Sequence, residues 1–274
     1  IAVFAFLICA IVGLSILNGW MDAISQFILL SLLLGTAVVP LFLLALKANS
    51  LNQVLSFFLS RIIGLLLSLR YRIQVTGMDQ IPQDKRGVLF LPNHPAEIDP
   101  IILSTRLWKS YRPRPVVLET FYHMPLANRI MKIMRAFPMP DMTTGTGTYK
   151  KKRIDLTLTR VSGALDNGNS VLMYPSGKLM RSNLELLGAA SGVKCTLESS
   201  GDIQIVMVRT RGLWGSSFST AQTDGRTPDI MKAFLHGFWV LVKNLIFFAP
   251  RRQVEIEFSL PDHNLHPDMS PLEI

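Results

Sequence analysis

The sequence predicts an α/β fold: a central mixed sheet covered by helices, preceded by an N-terminal hydrophobic helical membrane anchor. Three observations carry that expectation. From Tyr71 onward, short runs rich in β-branched and aromatic residues alternate with helical ones, the pattern of strands joined by helical crossovers. Before Tyr71 the chain is almost continuously apolar, and between Ile1 and Leu46 the only charged residue is Asp22. The apolar 49% of the 274 residues and the mean hydropathy of +0.33 are high for a soluble protein, and the excess sits at that one end. Two regions follow, membrane-anchoring helices over residues 1–70 and a folded domain over 71–274.

Within the first region, Ile1 to Leu17 and Phe27 to Leu46 are long enough as helices to cross about 30 Å of hydrocarbon, the first only barely. We read them as a transmembrane hairpin, since the first run has no basic leader and no small-residue cleavage site. The connecting NGWMDAISQ holds Trp20 and no Lys or Arg, whereas Lys47, Arg61, Arg70 and Arg72 all follow the second run. That asymmetry puts the remainder of the chain on the cytoplasmic face of the inner, or cytoplasmic, membrane. Val54 to Leu69 is a third apolar stretch, interrupted by Arg61, with Ser56, Ser60, Gly64 and Ser68 on one small-residue face. It fits a packed or interfacial helix better than a third span.

Residues 71–274 keep 25 of the 28 basic and 18 of the 19 acidic residues, a formal charge of +7. Beside a membrane anchor, this balance favours anionic lipid head groups or phosphorylated substrates over nucleic acid. Cys9 and Cys195 make neither a disulfide framework nor a metal site. His263 and His266 have a metal-like interval but lie in a Pro-rich tail without a third ligand, so no metal is expected. GTGTYKKKR lacks the Gly-Lys-Ser/Thr ending of a phosphate loop and reads as a surface loop with a solvated helix start. The first residue is Ile, which leads us to expect an excised piece of something longer.

In the folded domain, strands are expected near 71–75, 87–91, 115–119, 170–174, 204–209 and 253–260, and helices over 100–109, 125–136, 152–165, 183–198 and 228–247. GVLFLP has the apolarity of a central strand, and DPIIL starts a helix with Asp99 as N-cap and Pro100 at its first position. NHPAEI must then turn at the C-terminal edge of the sheet, where open α/β folds place their ligands. His94 opens that turn and Asp99 closes it, so the carboxylate can orient the imidazole and support its charge. On these residues alone, a capping Asp99 and an exposed loop His94 are the favoured reading, and Asn93 is equally a turn residue.

A second strand-to-turn corner, SVLMYPSGKLMRS, breaks at Pro175-Ser176-Gly177 and then offers Lys178 and Arg181. Cations beside backbone N–H groups around Gly177 form a reasonable phosphate cradle. Farther on, IVMVRTRGLWGSSFS has the form of a core strand that emits Arg209 and Arg211 before an aromatic, glycine-containing loop.

The order of these pieces resembles the glycerophospholipid acyltransferases of the 1-acylglycerol-3-phosphate O-acyltransferase type. Asn93, His94 and Asp99 match the family's N-H-x-x-x-x-D motif, and Tyr174 to Lys178 with Arg181-Ser182 approximate its F-P-E-G-T-R-S. Ser176 stands where the family has Glu, and AFPMPDM at 136–142 lacks the arginine of the second motif. PSGKLMRS with RGLWGSSFS looks more like the modules fused to acyl-CoA or acyl-carrier-protein synthetases.

The resemblance implies O-acyl transfer from acyl-CoA or acyl-carrier protein to a lysophospholipid or lysophosphatidate, without a cofactor. His94 would be the general base and Asp99 its partner. Ser176, Gly177, Lys178 and Arg181 would hold the acceptor phosphate, helped by Asn93, Arg209 or Arg211. Expected partners are membrane lipids, the acyl donor and a fused or associated acyl-activating domain. Two other readings remain open at the level of sequence: a lipid-binding module with impaired catalysis, and a serine thioesterase or lipase using Ser176.

Overall fold

The computed structural model describes Ala10 and residues 49–261, apart from 83, 85, 126, 142–144, 146, 183, 186–190 and 247. The chain divides into two compact units, Ile1–Val54 and Leu55–Ile274. The expected hairpin, with Trp20 and Cys9, lies outside the described residues, as do His263 and His266. Among the described residues no helix is long and apolar enough to cross a membrane.

Helix α1 (Asn49–Ser68) is followed by strand β1 (Tyr71–Thr76), β2 (Val88–Pro92), α2 (Asp99–Leu107) and β3 (Arg114–Leu118). Next come α3 (Glu119–Tyr122), α4 (Ala127–Ile133), β4 (Phe137–Met139), α5 (Thr148–Asp166) and β5 (Ser170–Leu172). The chain continues through α6 (Gly192–Ser199), β6 (Gln204–Arg211), α7 (Ile230–Lys243) and β7 (Arg252–Ser259). The seven strands form one mixed sheet in the order β1-β7-β6-β2-β5-β3-β4. Every neighbouring pair is parallel except β6 with β7.

The five-residue run Val88–Pro92 is buried at every position because β2 is the middle strand, apolar on both faces. One face packs Phe90, Leu172, Val206 and Val208 against α2 through Ile102, Leu103 and Leu107. The other packs Leu89, Leu91, Val171 and Met173 against α5 and α6 through Leu158, Val161, Leu165, Val193 and Leu197. Each completely buried Leu or Phe stabilises the fold by about 1.5–3 kcal/mol. Toward β1 and β7 no described element covers the second face: Arg72, Gln74, Glu255 and Glu257 alternate outward while Ile73, Val254 and Ile256 face the core.

Several expectations are corrected. Of the helix expected over 183–198, the described residues show Gly192–Ser199, and Glu185 lies outside it, accepting a hydrogen bond from Ser176 (2.6 Å). AFPMPDM contributes an edge strand, β4. The strand expected to run to 174 ends at Leu172, and its last residues are diverted to the site. Asp99 is not the N-cap of α2; Ile98 holds that place without a side-chain cap, and the Asp99 carboxylate turns inward.

Candidate active site

Two adjacent parallel strands, β2 and β5, leave the sheet toward opposite faces. The chain after β2 enters α2 on one side and the chain after β5 leads to α6 on the other. Such a divergence opens a crevice at the strands' C-terminal ends, where α/β sheets bind ligands. The loops 93–98 and 173–182, with Glu185, line this divergence.

Asn93 fixes the first loop. Its amide N–H donates to the Val208 carbonyl (3.2 Å), its Oδ1 accepts from the Thr210 N–H (2.6 Å), and its Nδ2 donates to the Thr210 carbonyl (3.0 Å). The side chain thus extends the β2–β6 ladder beyond the last residue of β2, and His94 follows from a rigid point.

His94 Nδ1 lies 3.0 Å from Asp99 Oδ2, with Asp99 completely buried and the imidazole 14% exposed. With Nδ1–H donating to the carboxylate, Nε2 is left with the lone pair. The Tyr174 hydroxyl donates to Asp99 Oδ1, and its ring lies 4.1 Å from the imidazole, centroid to centroid. Each Asp99 oxygen therefore has a donor, which satisfies the buried charge.

Electrostatics adds to this arrangement. Burial works against a charged imidazole, but the Asp99 carboxylate, its hydrogen bond, and nearby Glu97 and Glu185 outweigh it and hold the His94 pKa above the usual 6.5. Burial, reinforced by Asp99, pushes the Tyr174 phenol well above 10.0, so it remains a donor. Burial also raises Glu97 and Glu185 above the ordinary glutamate value.

Three loops interlock around the pair. The Met180 N–H donates to the His94 carbonyl (2.9 Å), the Thr220 hydroxyl donates to the Met180 carbonyl, and the Glu97 N–H donates to the Phe218 carbonyl (2.9 Å). The turn at 174–180 and the aromatic loop after β6 are therefore both tied to the histidine loop. Among the described residues no group of three or more His, Cys, Asp or Glu is placed to hold a metal.

The other expected site residues separate into two sets. Ser176 is buried, with Oγ 2.6 Å from Glu185 Oε1 and 2.9 Å from the Lys178 carbonyl. Those acceptors take its proton, so the hydroxyl is not paired with His94 as a serine nucleophile would be. Gly177 supplies a left-handed corner (φ 60), and its N–H donates to the Tyr174 carbonyl (3.0 Å). That amide closes the turn. Lys178 and Arg181 are exposed on either side of Met180. Arg209 and Arg211 project onto the exposed face of β6, and Arg211 faces Glu255 (3.9 Å) and Glu257 (3.5 Å). The structure does not bring them to His94, because alternation along the strand sends Thr210 and Arg211 to opposite faces.

Glu97, Glu185 and the hydroxyl of Tyr174 were not anticipated. A polar group at the C-terminal end of a core strand was a usable signal for Tyr174. Glu185 had none, since its loop is nine residues beyond Ser176 in sequence.

The acyltransferase family matches residues 72–210, just over half of the chain and the whole span from β1 into β6. The chain belongs to that family. No curated protein matches this acyltransferase in sequence. Its fold is similar to that of the 1-acyl-sn-glycerophosphate (LPA) acyltransferase PlsC from Thermotoga maritima, at a TM-score of 0.52 and 13% identity. That likeness covers 81% of this chain and 71% of the other. The family expectation drawn from Asn93, His94 and Asp99 is thus borne out. The acyltransferase carries those three residues at the C-terminal edge of its central strand.

Proposed function

We propose that this acyltransferase moves a fatty acyl group from an acyl thioester, acyl-CoA or acyl-carrier protein, to the free hydroxyl of a lysophospholipid or lysophosphatidate. The observation that carries the reading is the 3.0 Å contact between His94 Nδ1 and a completely buried Asp99. His94 Nε2 accepts the proton of the acceptor hydroxyl as its oxygen attacks the thioester carbonyl carbon. The tetrahedral intermediate then expels the thiolate, which takes the proton back from the imidazolium. Asp99 holds the ring and stabilises its transient charge. The thioester is already activated, so the step needs no cofactor and no covalent enzyme intermediate.

Exposed Lys178 and Arg181 flank the segment bonded to the His94 carbonyl and are our choice for the acceptor phosphate. The similarity of the fold to an LPA acyltransferase supports the acceptor class. The apolar N-terminal residues and the basic balance support work at the cytoplasmic face of a membrane, where lysolipid and acyl chain both reside. A fused or associated acyl-activating domain would supply the thioester.

The test is acyl transfer by purified chain to a panel of lysophospholipids from radiolabelled acyl-CoA or acyl-carrier protein. Wild type yields diacyl phospholipid, and H94A lowers the rate by about 10²- to 10⁴-fold, the worth of general-base assistance. Undiminished transfer by H94A removes the mechanism. Wild-type failure with every acceptor and donor leaves a lipid-binding module.

A further inference from the structure

Helix α7 divides around its circumference into three stripes, and among the described residues one of them packs on the domain. Ala233 is buried, and Ile230, Gly237, Val240 and Leu241 are half-buried on the same side. Phe234 packs edge-on against Phe218 of the loop after β6, with centroids 4.9 Å apart. The second stripe is Met231, Leu235, Phe238 and Val242, spaced to fall on one helical face and all exposed. The third runs beside it: Lys232, His236, Trp239 and Lys243, equally exposed and at the same spacing. Leu245, Ile246 and Phe248 continue the exposed apolar surface past the helix end, with Phe248 79% exposed.

Leaving so many large apolar side chains in water is costly, and a contiguous patch marks a contact surface. The row beside it identifies the contact. An indole at the border between an apolar and a basic stripe matches the layering of a membrane interface, where rings sit at head-group level and lysines meet lipid phosphates. No acidic residue lies between Ile230 and Lys243; Asp229, the N-cap, is 3.7 Å from Lys232. Exposed Arg226 and Arg251 add cations at the two ends. A second copy would bring the same cationic row, and apposing two such faces sets like charges together.

We infer that α7 with Leu245, Ile246 and Phe248 forms an interfacial membrane-binding surface, inserting Phe238, Val242 and their neighbours among the acyl chains of an anionic leaflet. The surface lies far from the N-terminal apolar runs in sequence and does not rest on the proposed transfer chemistry. Its inner stripe packs on the same cluster as Ala96 and Ile98 of the histidine loop, so the leaflet contacts the side of the sheet that carries the His94–Asp99 pair.

Trp239 is the reporter. The full chain carrying Trp20→Phe is reconstituted into vesicles of phosphatidylcholine with about 30% phosphatidylglycerol, enough to impose an anionic surface. Trp108 is buried and Trp214 half-buried, so Trp239 dominates the response to the lipid. The expected result is a blue-shifted emission quenched by lipids brominated in the upper acyl chain. The effect is lost when Trp239→Phe is added and at least halved by F238E/V242E. K232E/K243E reduces it to the level found in neutral vesicles. Because these positions are exposed, circular dichroism and melting temperature should stay at wild-type values. Emission unchanged by vesicles overturns the inference. So does a shift that appears without lipid and grows with protein concentration, which assigns the face to a second copy.

Discussion

Asp99 Oδ2 faces His94 and Asp99 Oδ1 faces Tyr174, so changing either partner acts through the same carboxylate. His94 must be neutral to accept a proton, and its pKa lies above 6.5. The rate of acyl transfer should therefore rise with pH along an acid limb centred above that value. Asp99→Asn removes the largest of the contributions that raise it, so the limb moves to lower pH while the plateau falls, since the ring also loses its orientation. A pH–rate profile of both proteins checks this, and an unmoved limb would refute it. Tyr174→Phe deletes one donor to a buried charge and should cost about 1–3 kcal/mol of stability, read from denaturant midpoints. The His94–Asp99 pair was legible because only four residues of turn, 95–98, join its members. Tyr174 and Glu185 were not legible, because they reach the pair across 75 residues and through Ser176, respectively.

At the scale of elements, β7 is the strand on which the β1 end of the sheet depends. It is antiparallel to β6 and parallel to β1, and two glycines press against it. A methyl carbon added at Gly77 (φ +75) would lie 1.9 Å from the Phe258 carbonyl oxygen, and one added at Gly212 (φ +87) would lie 2.2 Å from that of Gln253. An added Cβ meets both the wrong backbone region and a rigid carbonyl, so G77A and G212A should each lose at least about 2 kcal/mol by chemical denaturation. Asn93→Ala tests the other join. Losing the double bond to Thr210 should cost about 1–3 kcal/mol and lower kcat with little change in KM, because the side chain positions His94 without reaching substrate. The long apolar strands were readable from composition. β4 was not, since three residues with a central proline at the sheet edge carry too little pattern.

At the scale of the whole molecule, the chain carries a formal net charge of +9. Exposed apolar residues cluster on α1, at Phe58, Ile62, Leu65 and Leu66, and on α7. Both helices pack their inner residues on the cluster that borders the histidine loop. On α1 the spacing of Ser56, Ser60, Gly64 and Ser68 fitted a packed or interfacial helix; those residues are buried or half-buried, Leu67 and Ile63 pack on the core, and Phe58, Ile62, Leu65 and Leu66 face outward. On the proposed function and membrane contact, such a protein would meet its acceptor as part of a charged surface. The attraction is screened as the Debye length falls from about 10 Å at 0.1 M salt to about 3 Å at 1 M. Transfer to lysolipid in anionic vesicles, at subsaturating acceptor, should therefore drop severalfold across that range. The same lysolipid in uncharged detergent micelles should lose little, because no surface potential exists there to be screened. Equal salt sensitivity in both would mean that ions act on the His94 crevice itself, and that the basic surface plays no part in delivering the acceptor.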